Sequence, residues 1–143
     1  LAIGTTKDQI ATGAFTFYIA GVKYAKAAVP AGTAPNAVTT AQNKYGCQAL
    51  DIGADGTIDP ISCTNIAAGL DSAALAVADL PAVAASHVRI GNVTAMSSDA
   101  GGFVWATTEF DVAEVTEAYT STAAYTAVYN WIVINGNGTL TSG

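Results

Sequence analysis

The chain has 143 residues, enough for one ordinary domain with a real core, and a formal net charge of −6. Hydrophobic residues make up 51% of it and charged residues only 11%, against a usual charged level of about 25%. The acidic balance argues against nucleic acid as a partner, and no apolar run reaches the roughly 20 residues that a membrane helix needs. So little charge is typical of a protein packed against copies of itself or against a partner.

The first strand signal is "AFTFYIAGVKYAK", which alternates bulky apolar and smaller residues. A two-residue turn over 20–21 predicts a half-buried hairpin that sets Ile19 opposite Val22 and Phe17 opposite Tyr24. The next stretch, "AAVPAGTAPNAVTTAQN", has two prolines, a glycine and no sustained period, which predicts a loop.

The segment "KYGCQALDIGADGTIDPISC" predicts a second hairpin. A three-residue loop over 54–56, with its glycine in the left-handed conformation, pairs Ile52 with Ile58 and Cys47 with Cys63. The two cysteines are the only ones in the chain. We therefore predict that they face each other and are able to form a disulfide in an oxidising environment.

The tip of this hairpin, "LDIGADGTID", also resembles a calcium-binding loop, because Asp51, Asp55 and Asp59 recur at every fourth position. An EF-hand needs an oxygen ligand at its third position and a glutamate at its twelfth, where this chain has Gly53 and Ser62. The hairpin interpretation is therefore preferred. No metal is expected, and the three aspartates are only weak candidates.

The segment "DSAALAVADLP" carries the one helical signal, near 71–80, with Asp71 as N-cap and Pro81 as stop. Strand resumes at "HVRIGNVTAM", where a bulge at Gly91-Asn92 would absorb a slip of the apolar face. "FVWATTEF" predicts a further strand.

The last strand signal is "AYTAVYNWIVI". It places Tyr129, Trp131 and Val133 on one face and keeps the other face apolar too, which is typical of a central or interfacial strand. We predict an interface there and a flexible end over 135–143. The whole pattern predicts a single all-β domain over 1–143, an antiparallel β-sandwich or small barrel built from hairpins with one short helix.

Chemistry-bearing motifs are scarce. His87 is the only histidine, and no serine nucleophile elbow, phosphate-binding loop or four-ligand zinc set accompanies it. We expect no enzyme activity and no cofactor. Two sets of side chains have a functional alternative beside the structural interpretation. An acidic loop could bind calcium through Glu109, Asp111, Glu114 and Glu117. A carbohydrate platform could be formed by Tyr18, Tyr24, Trp105 and Trp131.

Charge is unevenly spread along the chain. Residues 1–50 hold four lysines and one aspartate, whereas 51–143 hold ten acidic residues and one arginine. The two halves therefore carry +3 and −9. Opposite signs of this kind would let one subunit meet the next across a boundary.

The stretches "GAFTFYIAGVKYAKAAVPAGTAP", "LDIGADGTID" and "ALAVADLPAVAASHVRIGNVTAMSSDAGGFVWATTEFD" resemble small alanine-rich proteins of the tailed-bacteriophage surface, of the capsid decoration (cement) or head-fibre type. The resemblance covers about residues 13–111. It implies a structural protein on the virion surface, a homotrimer that binds the major capsid protein and stabilises the shell. The alternatives are a secreted fibre or pilus-type subunit of an extracellular filament, and a tail-fibre or adhesin domain that binds carbohydrate.

Overall fold

The computed structural model describes residues 1–122 and the strands Ile132–Ile134 and Leu140–Ser142. These residues form an all-β protein with one short helix, as the sequence predicts. The elements in chain order are β1 (Ala2–Ile3), β2 (Ile10–Thr12), β3 (Phe15–Ile19), β4 (Val22–Lys26), β5 (Val29–Thr33), β6 (Thr39–Thr40), β7 (Gly46–Gly53), β8 (Ile58–Ser62), α1 (Ala73–Ala78), β9 (His87–Ser97), β10 (Phe103–Val104), β11 (Val115–Ser121), β12 (Ile132–Ile134) and β13 (Leu140–Ser142).

The centre of the fold is a four-stranded antiparallel sheet in the order β11-β9-β7-β8. Every residue of β7 is buried, because strands flank it on both edges and other elements cover both of its faces. The remaining described strands form smaller antiparallel sheets, in the orders β1-β2-β5, β3-β4, β10-β6 and β12-β13. In the described part of the chain no sheet closes on itself, so the all-β class is confirmed whereas the sandwich or barrel is not.

Both predicted hairpin registers are confirmed. In the first hairpin Ile19 pairs with Val22 across a turn whose two residues have φ of 49° and 80°. In the second, Ile52 pairs with Ile58 and Gly56 has φ 80°. The left-handed glycine allows the three-residue loop and so fixes the register of the whole β7–β8 ladder.

The largest buried side chains gather beside the sheet. Phe103, Trp105 and Phe110 are fully buried with ring centroids 4.9 to 6.0 Å apart, and Tyr119 of β11 contacts Phe110 at 5.9 Å. The indole Nε1 of Trp105 donates to Thr40 Oγ1 at 2.9 Å, so its one polar atom is satisfied inside the core. Helix α1 contacts β7 and β9, and its Ala76 is buried in the hydrophobic core.

The helix is shorter than predicted and has a different cap. Ser72 is the N-cap, since its extended backbone lets its hydroxyl accept a hydrogen bond from Leu75 N at 3.3 Å. The prediction of Asp71 was wrong by one residue, and Asp71 instead pairs with Lys44. The helix ends at Ala78, before Pro81.

Three other predictions need correction. The stretch 27–43 is not all loop, because β5 pairs with β2 and β6 with β10, long-range partners that no local period reveals. The strand predicted for "FVWATTEF" covers only β10, and Ala106 then turns the chain with φ 63°. The bulge in β9 lies at Ile90, because Leu50 pairs with Gly91 and Asp51 with Arg89.

Candidate functional site

A mostly apolar groove of about 640 Å³ lies between the β3 side of the first hairpin and the beginning of β9. Its walls are formed by residues 12–18, 87–90 and 121–122, together with Leu1 and Val83. Phe15 and Val88 are half-buried there, and Val83 is 38% exposed. Because the groove is concave and mostly apolar, we treat it as the candidate functional site.

The groove exists because β9 is longer than its neighbour. β11 pairs with β9 only from Gly91 to Ser97, and one further hydrogen bond joins Thr122 N to Ile90 O at 3.1 Å. Within the described part of the chain, residues 87–90 therefore have a strand partner on the β7 edge alone. A strand edge of this kind presents backbone donors and acceptors beside an apolar wall.

Arg89 lines the groove but does not offer it a free charge. Its Nε and Nη2 donate to the two carboxylate oxygens of Asp51 at 2.8 and 3.2 Å, and Nη2 also donates to Pro81 O at 3.0 Å. The side chains of Arg89 and Asp51 are only 19% and 5% exposed. Because the guanidinium is held by two oxygens in a bidentate pair, the site is not built to select an anionic ligand.

The three aspartates of "LDIGADGTID" bind three different partners. Asp51 pairs with Arg89, whereas Asp55 accepts from Thr57 N and Thr57 Oγ1, each at 2.9 Å. These hydrogen bonds lower the pKa of Asp55. Asp59 lies 3.3 Å from His87 Nε2. The carboxylates thus hold the hairpin and its neighbouring strand together, and in the described residues no three metal-binding side chains gather at one point.

His87 contacts Ser86 through one ring nitrogen and Asp59 through the other. Ser86 Oγ lies 3.0 Å from His87 Nδ1, and His87 Nε2 lies 3.3 Å from Asp59 Oδ2. Serine and histidine are adjacent residues, so their contact follows from local geometry. Of these three residues, only His87 is among those that line the groove.

Two ion pairs within the chain join lysines of the first 50 residues to aspartates of the remainder. Lys7 lies 2.6 Å from Asp111 and Lys44 contacts Asp71, so basic groups of the first 50 residues meet acidic groups of the remainder inside one subunit. Asp111 raises the pKa of Lys7 through a hydrogen bond and its negative charge. The asymmetry consequently provides less force for contacts between subunits than the sequence alone predicts.

The aromatic residues divide by position. Trp105 is fully buried, so it is not part of a carbohydrate platform. Tyr24 stacks on Phe17 at 5.3 Å, which ties that ring to its own hairpin. The interface was predicted at Tyr129, Trp131 and Val133. Tyr129 and Trp131 lie outside the described residues, and for Val133 only the backbone is described. The prediction that Trp131 belongs to a carbohydrate platform therefore also lies outside the described residues.

The cysteines hold the predicted positions. The β7–β8 register continues to them, and Cys63 N donates to Cys47 O at 2.9 Å. Both are free thiols and both are buried. Burial raises the pKa of Cys47 to about 12 and also raises that of Cys63.

Sequence reasoning missed the groove itself. Its two walls are visible as separate signals, the Phe-rich hairpin and the bulged strand "HVRIGNV", but nothing local indicates that they face each other. The difference in strand length is a signal that could have indicated the groove. β9 has 11 residues and β11 has seven, so part of one β9 edge has no partner in β11.

Comparisons with protein-family models, with curated proteins and with solved structures find no match for this chain. No helix in the described part of the chain is both long and apolar enough to cross a membrane. The fold and the groove define the class: an all-β protein with an apolar site along a strand edge.

Proposed function

We propose that this chain is a non-enzymatic structural subunit of a bacteriophage particle, which decorates the capsid exterior and stabilises it through contacts with copies of itself and with the major capsid protein. The observation that carries the proposal is the apolar groove beside the part of the β9 edge that β11 does not pair with. Such a surface suits a protein partner, because a strand pairs with the backbone edge while its side chains cover the apolar wall.

The occupant of the groove is an apolar strand of a second copy of this chain. The sequence offers one in Tyr125–Ile134, whose alternating positions are apolar on both faces. Thr122, three residues before this segment in the sequence, lines the groove. Exchange of one segment between subunits is an economical route to a closed oligomer, and the trimer implied by the resemblance is the expected form.

Binding to the assembled shell stabilises that shell by mass action, since the subunit does not bind the loose parts equally well. The low charge supports close packing, as do the exposed apolar side chains Leu75 and Val77 of the helix, which are 52% and 37% exposed. The alternatives, a filament subunit or a carbohydrate-binding domain, have less support: no feature of the described residues favours a filament, and Trp105 is buried.

Sedimentation velocity of the purified full chain tests the self-contact. We expect a trimer that is indifferent to salt, because its contact is apolar. Phe15→Glu places a charge on the groove wall and is expected to give monomers. Val22→Glu is the matched control: it lies on the same hairpin, 52% exposed and outside the groove, and should leave the trimer intact.

Electron microscopy of native particles labelled with an antibody to this chain tests the location. Label on an icosahedral head is the expected result. Label on a filament would replace the proposal by the fibre alternative, and a wild-type chain that is monomeric and does not bind empty capsids would overturn it.

A further inference from the structure

The cysteine pair is a second feature that no proposed contact uses. Cys47 lies on β7 and Cys63 directly follows β8, joined by the hydrogen bond from Cys63 N to Cys47 O. Hydrogen-bonded partners on antiparallel strands have Cα atoms about 5.5 Å apart, inside the range of about 4.4–6.8 Å that a disulfide spans. At that general spacing the backbone would allow the two free thiols to be joined.

The pair is closed to solvent, with Cys47 0% and Cys63 2% exposed. The chain next to Cys63 is fastened to the C-terminal end of helix α1 by four hydrogen bonds to Asp79, which we call the Asp79 clasp. Thr64 donates from N and Oγ1 to Asp79 O at 3.1 and 3.2 Å. Asn65 donates from N to Oδ2 at 2.6 Å and from Nδ2 to Oδ1 at 3.0 Å.

Burial also makes the thiols unreactive. The thiolate is the nucleophile in disulfide exchange, and the raised pKa of both cysteines keeps them protonated at neutral pH. A small oxidant therefore needs the site to open before either sulfur reacts. The Asp79 clasp adjoins this site at the surface, because its Thr64 follows Cys63 in the chain and is exposed.

We propose that Cys47 and Cys63 form a latent crosslink, which closes to a disulfide when release of the Asp79 clasp admits a low-molecular-weight disulfide. Cys63, beside the clasp, loses its proton to solvent and attacks one sulfur of the oxidant, which releases one small thiol. The Cys47 thiolate then attacks Cys63 Sγ and releases the second small thiol. Two protein thiols are oxidised and one small disulfide is reduced to two thiols.

The closed bond joins the central strand to the end of its hairpin partner. It restricts the unfolded chain and so stabilises the sheet after the protein has folded. The protein thus folds and assembles first, in a reducing compartment, and forms the disulfide later, in an oxidising one. This inference does not depend on the identity of the particle or on the groove.

The test measures disulfide closure in the full chain, incubated with oxidised glutathione at mildly alkaline pH and followed by the loss of two hydrogen atoms in the mass. Asp79→Ala removes the side-chain half of the clasp and should close about tenfold faster, the size expected for charged hydrogen bonds. Asp71→Ala is the control. It lies next to the other end of the same helix, pairs with Lys44, and should change the rate less than about twofold, as an exposed pair does.

Equal rates of disulfide closure in Asp79→Ala and Asp71→Ala would contradict the proposal that release of the Asp79 clasp controls oxidation. The rate of disulfide closure measured at several low urea concentrations separates local from global opening. If closure requires global unfolding, its rate rises with urea as steeply as unfolding does; if it requires only local release of the clasp, its rate depends on urea weakly. Single variants test the order of attack: Cys47→Ser should hold one glutathione on Cys63, and Cys63→Ser should react more slowly. A wild-type chain that carries two glutathiones and never loses two hydrogens would overturn the crosslink itself.

Discussion

The two hairpins of this protein begin with equally good local signals and finish in different environments. β7 and β8 lie in the central sheet, where every residue of β7 is buried. β3 and β4 form a two-stranded sheet of their own, in which Phe17 is buried and Val22 is 52% exposed. Turn chemistry fixed the register of both, but only the second hairpin is completed by a long-range partner along its first strand.

That difference separates register from stability. A hairpin alone is marginally stable in water, and three or more strands with a covered face are needed for independence. The β7–β8 hairpin gains β9 on one edge and contacts with helix α1. The β3–β4 hairpin contacts β9 without pairing to it and leaves a groove between. We therefore expect changes around the central sheet to unfold the protein and changes in the first hairpin to act mainly on binding.

The largest effect is expected in the aromatic core. Phe103→Ala should lower the free energy of unfolding by about 3–5 kcal/mol, because the ring is fully buried against Trp105 and Phe110. Phe15→Ala changes the same residue type in the half-buried groove wall and should cost about 1 kcal/mol. Urea denaturation at low protein concentration measures both, and equal losses would erase the distinction between the two regions.

Ion pairs give a second contrast. Asp51→Ala leaves Arg89 without its carboxylate beside the central sheet and should cost about 3–5 kcal/mol in unfolding free energy. Asp71→Ala breaks the exposed pair with Lys44 and should change the unfolding free energy far less, because solvent screens this pair. Replacing both Asp51 and Arg89 by apolar residues should recover part of the loss. No recovery would show that packing, rather than an unpaired charge, explains the effect.

The smallest effect lies at the hairpin tips and depends on pH. Asp55 has a lowered pKa because Thr57 donates two hydrogen bonds to its carboxylate, whereas the 20–21 turn has no titratable side chain. A lowered pKa in the folded state adds stability above the ordinary value of about 3.9, and that stability disappears as pH falls through the lowered pKa. Asp55→Asn should therefore lower the urea midpoint at pH 7, by an amount that shrinks in acid.

Thr57→Val is the companion to this change, since it removes the hydroxyl donor and keeps the backbone one. It should show a smaller difference with the same pH dependence. A difference for Asp55→Asn that stays constant from pH 7 to strong acid would assign the effect to turn geometry rather than to charge.

The sequence by itself determined the local geometry. The Ala-Gly turn over 20–21 and the left-handed Gly56 specify both hairpin registers, and the second register places Cys47 opposite Cys63. The all-β class follows from the same period-two pattern. These features depend on the turn and on the two strands beside it, where backbone sterics and the alternation of side chains act directly.

Only the tertiary structure decided which surfaces meet. The pairing of β5 with β2, the partnership of Arg89 with Asp51 and the groove between β3 and β9 all join segments distant in the chain. Each depends on burial and on the completion of a strand edge, which are properties of the assembled layers. A local sequence pattern does not indicate which distant segment it will contact. The hairpins could therefore be predicted from the sequence, whereas the groove depends on how the layers pack.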